Sequence, residues 1–149
     1  MKSPLLLMSC FVFSILITGC SSEQKENYLT ENNIKGDVKS FTYKTYDAIE
    51  RFGEIEKESI NSWDDIAYNE EGNKVERISY DSDGSIDFKL TYEYDEEGNQ
   101  VERIWYGSDG SISSKITSEY DEEGNWTSLI TFKDGVATKI TEREFEYYD

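Results

Sequence analysis

The hexapeptide YDEEGN stands at 94–99 and again at 120–125, and YNEEGN stands at 68–73, so the chain writes one acidic motif three times at a spacing of 26 residues. A fixed period constrains the fold more than any other feature, because every copy must build the same local structure and stack on the one before. The glycines sharpen the unit: Gly72, Gly84, Gly98, Gly110, Gly124 and Gly135 are 12, 14, 12, 14 and 11 residues apart, two per unit with the last unit trimmed. Each closes a four-residue group, and in four of the six groups Asp or Asn stands first, as Asn69, Asp81, Asp95 and Asp121. That order suits a type I turn, in which the first side chain caps the backbone and the closing glycine takes φ > 0. Such a turn followed by a left-handed glycine is a three-residue hairpin loop with a G1 bulge, so all six glycines are expected at hairpin tips.

Between the tips the pattern has period two. Ile86, Phe88, Leu90, Tyr92 and Tyr94 alternate with Asp87, Lys89, Thr91 and Glu93, which predicts a half-buried strand. The next unit keeps Ile112, Ile116 and Tyr120 in those slots. The shorter strand of each unit carries Ile78 and Tyr80, then Ile104 and Tyr106, then Ile130 and Phe132, and these positions are expected to form the core stripe. Ahead of the clear units, residues 38–46 and 60–68 read as a degenerate hairpin joined by a longer charged loop. The expected fold is all-β: one domain, residues 36–149, forming an antiparallel meander of about eight strands built from two-hairpin repeats. Its parts are the leading hairpin at 36–68 and repeats at 68–93, 94–119 and 120–149. A sheet this wide twists, and its apolar face is expected to curl onto itself. Tips 69–72, 95–98 and 121–124 fall on one rim, with alternate tips roughly 9.6 Å apart, two strand spacings.

Units reading Y-D-E-E-G-N, a strand, D-G-S-I, a strand and Y-D again resemble the tyrosine-aspartate (YD, or RHS-type) repeats of bacterial surface proteins. They are most similar to short lipoproteins of Bacteroidetes that carry a few such units behind an export signal. The resemblance spans residues 68–149 for the repeat and 1–20 for the signal. The N-terminal stretch MKSPLLLMSCFVFSILITGC has one cation, Lys2, and an apolar run from Leu5 to Ile17. That run is shorter than the roughly 20 apolar residues a bilayer span needs, as in a signal peptide. Its end, Ile17-Thr18-Gly19-Cys20, resembles the lipobox of bacterial lipoproteins. The resemblance implies that residues 1–19 are removed, that Cys20 carries the lipid, and that the chain is held at the cell envelope. Ser21 is compatible with the outer membrane, by the same resemblance. Residues 20–35, polar and without hydrophobic periodicity, are expected to be a flexible tether, about 20 Å from end to end if random coil.

Composition narrows the chemistry. On that resemblance Cys10 leaves with the signal and Cys20 is acylated, which leaves no thiol for a disulfide, a metal or a nucleophile, and the chain has no histidine. The commonest general base and transition-metal ligand are therefore missing, and no catalysis or cofactor is expected. The net charge is −17, and loss of Lys2 takes it to −18. A surface this acidic repels phosphate backbones and anionic lipid, which speaks against nucleic acid and leaves the N-terminal lipid as the membrane link. The acidic tips have oxygen ligands that suit calcium, but their separation is too wide for one ion, and they read as solvated turns. No metal site is expected.

The aromatic residues are the candidate binding groups. Trp105 and Trp126 stand where the repeat breaks its own pattern, Trp126 in the slot that Lys74 and Gln100 fill. With Tyr106 they form the expected site, since exposed aromatics on a sheet stack on sugar rings or anchor a protein partner. The bland alternative is cross-strand packing. The chain is expected to act as a monomeric binding module for a glycan or a protein at the envelope. The alternative is a structural or immunity-like envelope protein that takes a basic protein partner through its acidic surface.

Overall fold

The computed structural model describes residues 27–148, so the expected signal peptide, Cys20 and the first part of the expected tether lie outside the described residues. One short helix, α1 (Tyr28–Glu31), precedes eight strands: β1 (Ser40–Arg51), β2 (Glu54–Tyr68), β3 (Lys74–Asp81), β4 (Ile86–Tyr94), β5 (Gln100–Gly107), β6 (Ile112–Tyr120), β7 (Trp126–Lys133) and β8 (Val136–Glu142). They form one sheet in sequence order, every pair antiparallel. The all-β meander of eight strands is therefore present.

The tips are built as the glycine pattern requires. At 69–73 the Gly72 amide donates to the Asn69 carbonyl at 3.1 Å and the Asn69 amide to the Asn73 carbonyl at 2.9 Å. The pattern recurs at Asp81, Asp95, Gly107 and Asp121. Gly72, Gly84, Gly98, Gly110 and Gly124 all sit at φ between +78° and +89°. A register shift accompanies each of these hairpins, as a G1 bulge demands. The tip at Gly135 departs from the expectation. Asp134 and Gly135 both have positive φ, 50° and 76°, which is a two-residue turn of type I′. The missing residue in the last unit takes the bulge and the type I geometry from the tip, and the register shift lies instead between Thr131 and Phe132.

Strand register corrects the expected core. In an antiparallel pair, directly opposed residues share a face. Ile78 is opposite Lys89, while Leu90 is opposite Arg77 and Trp105. The apolar residues of the short and long strands therefore point to opposite faces, not to one core stripe. With apolar surface split between two faces, curling would bury one at the expense of exposing the other. The sheet is not closed into a barrel, and β1 and β8 remain its edges. Burial is correspondingly thin: among the described residues only Leu29, Ile66, Tyr68, Leu90 and Tyr92 are buried apolar residues.

Two further expectations change. The charged stretch joining the first two strands is not a loop: β1 and β2 continue to a two-residue turn at Phe52 and Gly53, forming a long hairpin. The tether also ends earlier than residue 35. Asn27 caps α1, with the Thr30 amide donating to Asn27 Oδ1 at 3.0 Å and the Asn27 amide donating to Thr30 Oγ1 at 2.9 Å. Leu29 is buried against Ile66 and Tyr68, with Ile34 and Val38 packed alongside. Two apolar residues in a polar stretch, Leu29 and Ile34, suffice to fold it onto the end of the sheet.

Candidate functional site

Each face of the sheet can be read as rows of opposed residues. One face carries the row Phe41, Ile66, Arg77, Leu90, Trp105 and Ser114, each opposite the next across six strands. Beside it runs the row Tyr43, Asp64, Ser79, Phe88 and Gly107. The Trp105 ring lies 4.7 Å from that of Phe88, tilted by 34°, and Trp105 is 42% exposed. The Arg77 guanidinium stands 5.2 Å from the Phe88 ring and donates through Nη2 to Asp64 Oδ2 at 2.9 Å. Arg77 Nε and Asp64 Oδ1 are enclosed without a protein partner. Arg103, one repeat after Arg77, lies opposite Tyr92 and Ile116 on the same face.

Gly107 sharpens this patch. Its slot holds Asp81 in the preceding unit, yet no positive φ requires glycine there. Gly107 is opposite Phe88, so no side chain stands across from that ring, and a Cβ there would meet Asp109 Oδ1 at 3.3 Å. The arrangement offers an aromatic pair next to the partly exposed Arg77 guanidinium, which suits a ligand with one apolar face and polar edges.

The three aromatics singled out in the sequence do not meet. Tyr106 follows Trp105 in β5 and lies on the opposite face, paired with Lys89. That face alternates apolar residues with ion pairs repeated 26 residues apart, Lys89 to Glu76 at 2.5 Å and Lys115 to Glu102. Trp126 is half-buried at the start of β7, and the guanidinium of Arg143 sits 4.3 Å over its ring. The slot it shares with Lys74 and Gln100 explains the substitution. Lys74 lies between the rings of Tyr28, at 4.1 Å, and Tyr92, at 4.8 Å. At each end of the repeat array this slot fastens a terminal segment by a cation–π contact, α1 at one end and residues 143–147 at the other. Burial, aided by Arg77 and Arg103, holds the Lys74 amine below its usual range.

The acidic rim has its own geometry. A cleft of about 660 Å³ opens between tips 69–72 and 95–98, lined by Asn27, Tyr92, Tyr94, Asp95 and Glu96 among others. Its inner polar groups are already used: Tyr94 donates to the Lys74 carbonyl at 2.8 Å, and the Asn99 amide donates to Asp95 Oδ1 at 2.7 Å. Burial pushes the Tyr94 hydroxyl up to about 12. Tyr120 repeats the contact one unit on, to the Gln100 carbonyl at 2.9 Å. The glutamates at 70, 71, 96, 97, 122 and 123 are all exposed, and among the described residues no three acidic side chains converge as a metal site requires.

Sequence reasoning reached Trp105 through its departure from the repeat, but not Phe88, Arg77 or Gly107. Phe88 and Arg77 look like ordinary strand residues until the register places them together. Gly107 carried the same kind of signal as Trp126, an unexplained change at a repeat position. No protein-family model, curated protein or solved structure matches the chain.

Proposed function

We propose that the protein is a non-catalytic, lipid-anchored lipoprotein of the cell envelope whose repeat sheet binds a glycan or a protein ligand through the face around Trp105. The observation that carries this reading is an exposed tryptophan in mid-sheet, packed at a tilt against Phe88, on a face that no other element among the described residues covers. Apolar surface of this kind marks an interaction site when it is contiguous and rimmed by polar groups. The side chain of Trp105 accepts the apolar face of a sugar ring or of a partner residue, and the partly exposed Arg77 guanidinium supplies polar contacts beside it.

The test is binding of soluble envelope polysaccharide fragments, followed by tryptophan fluorescence, with Trp105→Ala and Trp126→Ala compared. A glycan site at Trp105 loses at least tenfold in affinity with the first substitution and little with the second. Its affinity is also insensitive to salt. A second reading is favoured by the exposed glutamates on the 69–72, 95–98 and 121–124 tips: a basic protein partner held by charge. That partner dissociates as salt rises and is indifferent to Trp105→Ala. Retention of a ligand through both treatments overturns both readings. Anchoring is tested separately, since Cys20→Ala should abolish acyl labelling and release the chain from membranes.

A further inference from the structure

The β1–β2 hairpin outruns the sheet. β3 pairs with β2 only as far as Ser62, opposite Asp81, whereas β1 and β2 continue paired from Tyr46 and Ile60 to Arg51 and Glu54. Beyond the sheet body this arm reaches about 20 Å, with both of its edges unpaired among the described residues. Register shifts on either side of Tyr46 mark the point where it leaves, and Asp47 secures that point by accepting from Ser59 Oγ at 2.9 Å. A two-stranded ribbon without a sheet to lean on is marginal in water, so its persistence and its tip ask for a use.

The tip residue is Phe52, fully exposed and at φ 55°. The left-handed region is costly for any side chain with a Cβ and most unusual for a bulky one. The same two-residue turn recurs at the last hairpin, where Asp134 takes this position at φ 50°, and Asp is among the residues that tolerate it. An Asp or Asn would therefore close the arm better than Phe52 does, and an aromatic ring held in solvent at the end of a lever is suited to burial in something else. Ile55, three residues on, is 73% exposed.

We propose that the arm is a docking element that inserts Phe52 into an apolar pocket rimmed by basic groups on a protein partner. Charge selects that occupant: residues 47–58 carry five acidic side chains and two basic ones, which repel anionic lipid and nucleic acid and complement a basic rim. Position agrees. α1 sits at the opposite end of β2, where Asn27 Nδ2 donates to the Glu71 carbonyl at 2.7 Å. The arm therefore points away from the end where the chain enters the fold, about 50 Å along a 15-residue strand. A single anchoring aromatic with a polar surround matches how binding energy concentrates at protein interfaces.

The experiment places a photoreactive benzoylphenylalanine at position 52 of the full-length protein in intact cells, identifies the crosslinked protein, and measures its purified form against wild type and Phe52→Asn. The proposal expects a discrete protein adduct and at least a tenfold loss of affinity with Phe52→Asn. That variant should keep or raise the thermal midpoint. The absence of a discrete adduct overturns it, as does an affinity for Phe52→Asn within twofold of wild type. Phe52-dependent binding to phosphatidylcholine vesicles overturns it in favour of a lipid surface.

Discussion

The two rims of the sheet are made from the same hairpin and are not equivalent. On the rim of tips 69–72, 95–98 and 121–124, neighbouring units are tied together. The first residue of each tip caps the amide four residues on, and Tyr94 and Tyr120 reach across to the carbonyl beside the preceding tip. Both terminal segments also fasten there, α1 through Asn27 and the tail through Tyr147, which donates to Asp121 Oδ2 at 2.6 Å. On the other rim the third residue does the capping, Asp83 to the Ser85 amide and Asp109 to the Ser111 amide, both at 2.9 Å. Those bonds stay within one tip, and this rim also bears the free arm. Half-buried strands gain little from a shared core, so the tied rim supplies the continuity of the array and the untied rim is free to vary.

If the tied rim holds the array together, its terminal cap should matter most. Leu29 is 8% exposed and is the residue by which α1 enters the core cluster. Leu29→Ala should cost about 2–4 kcal/mol, as for other buried leucines. It should also release α1, visible as rapid amide exchange in residues 27–34 before the strands exchange. Equal exchange rates for α1 and the strands in this variant would show that the helix is no separate cap.

A matched pair of glycines tests the rims directly. Gly72 and Gly110 have nearly the same φ, 80° and 78°, but a Cβ on Gly72 would lie 2.7 Å from Asn27 Nδ2, whereas one on Gly110 meets nothing within 4 Å. Backbone strain alone sets the cost of Gly110→Ala at about 1–2 kcal/mol. The Asn27 side chain can swing aside from a methyl group added at Gly72 only by giving up its bonds to Glu71 and Thr30, so Gly72→Ala should cost about 2–3 kcal/mol. Urea unfolding of both variants measures the difference, and equal midpoints would refute the distinction between the rims.

The cross-unit tyrosines come next. Tyr94→Phe removes one hydroxyl-to-carbonyl bond and should cost about 1 kcal/mol. The pH dependence has a definite sign: the folded hydroxyl titrates near 12 against an ordinary 10.0. The neutral phenol is therefore favoured by folding, and its contribution is complete below pH 10 and lost as pH rises towards 12. Burial pushes Tyr68 up to about 12 as well. Stability of the wild type should fall over that alkaline window, and Tyr94→Phe should fall less steeply. A steeper fall in the variant would contradict the assignment.

What the sequence discloses follows from the range of the forces involved. Tips are local: a cap, a glycine and a spacing decide them, so five of the six turns and the strand order are legible from residues alone. The sixth, at Asp134, turns on one deleted residue. Faces are not local in the same way. Whether Ile78 joins Leu90 depends on a bulge at each tip that shifts the pairing by one, and one residue of register moves a side chain to the other face. That is why the apolar residues looked like one stripe and why Phe88, Arg77 and Trp105 could not be grouped in advance. Trp126 shows a further limit, because a break in a repeat also occurs where the repeat ends and must be capped. Phe52 was hidden by the charged residues around it, which read as a loop.

The weakest expected effect separates the rims by acid. The Ser85 hydroxyl and amide hold Asp83 below the ordinary carboxyl value of 3.8, and Ser111 does the same for Asp109. On the tied rim the Tyr147 hydroxyl lowers Asp121, while Asp95 is lowered by Asn99 against a desolvation that opposes it. A depressed carboxyl stabilises the fold above its unfolded value and loses that contribution as pH falls through the folded one. Both rims should therefore weaken below about pH 4. The consequences differ in reach. Protonating Asp83 or Asp109 loosens one tip, so amide exchange should quicken at Ser85 and Ser111 alone. Protonating Asp121 also frees Tyr147 and the tail, so exchange should quicken at Asn125 and at Arg143 together. Asp121→Asn at neutral pH should reproduce the second pattern and Asp109→Asn the first. Release of the tail by Asp109→Asn would mean that the two rims are coupled through the sheet after all.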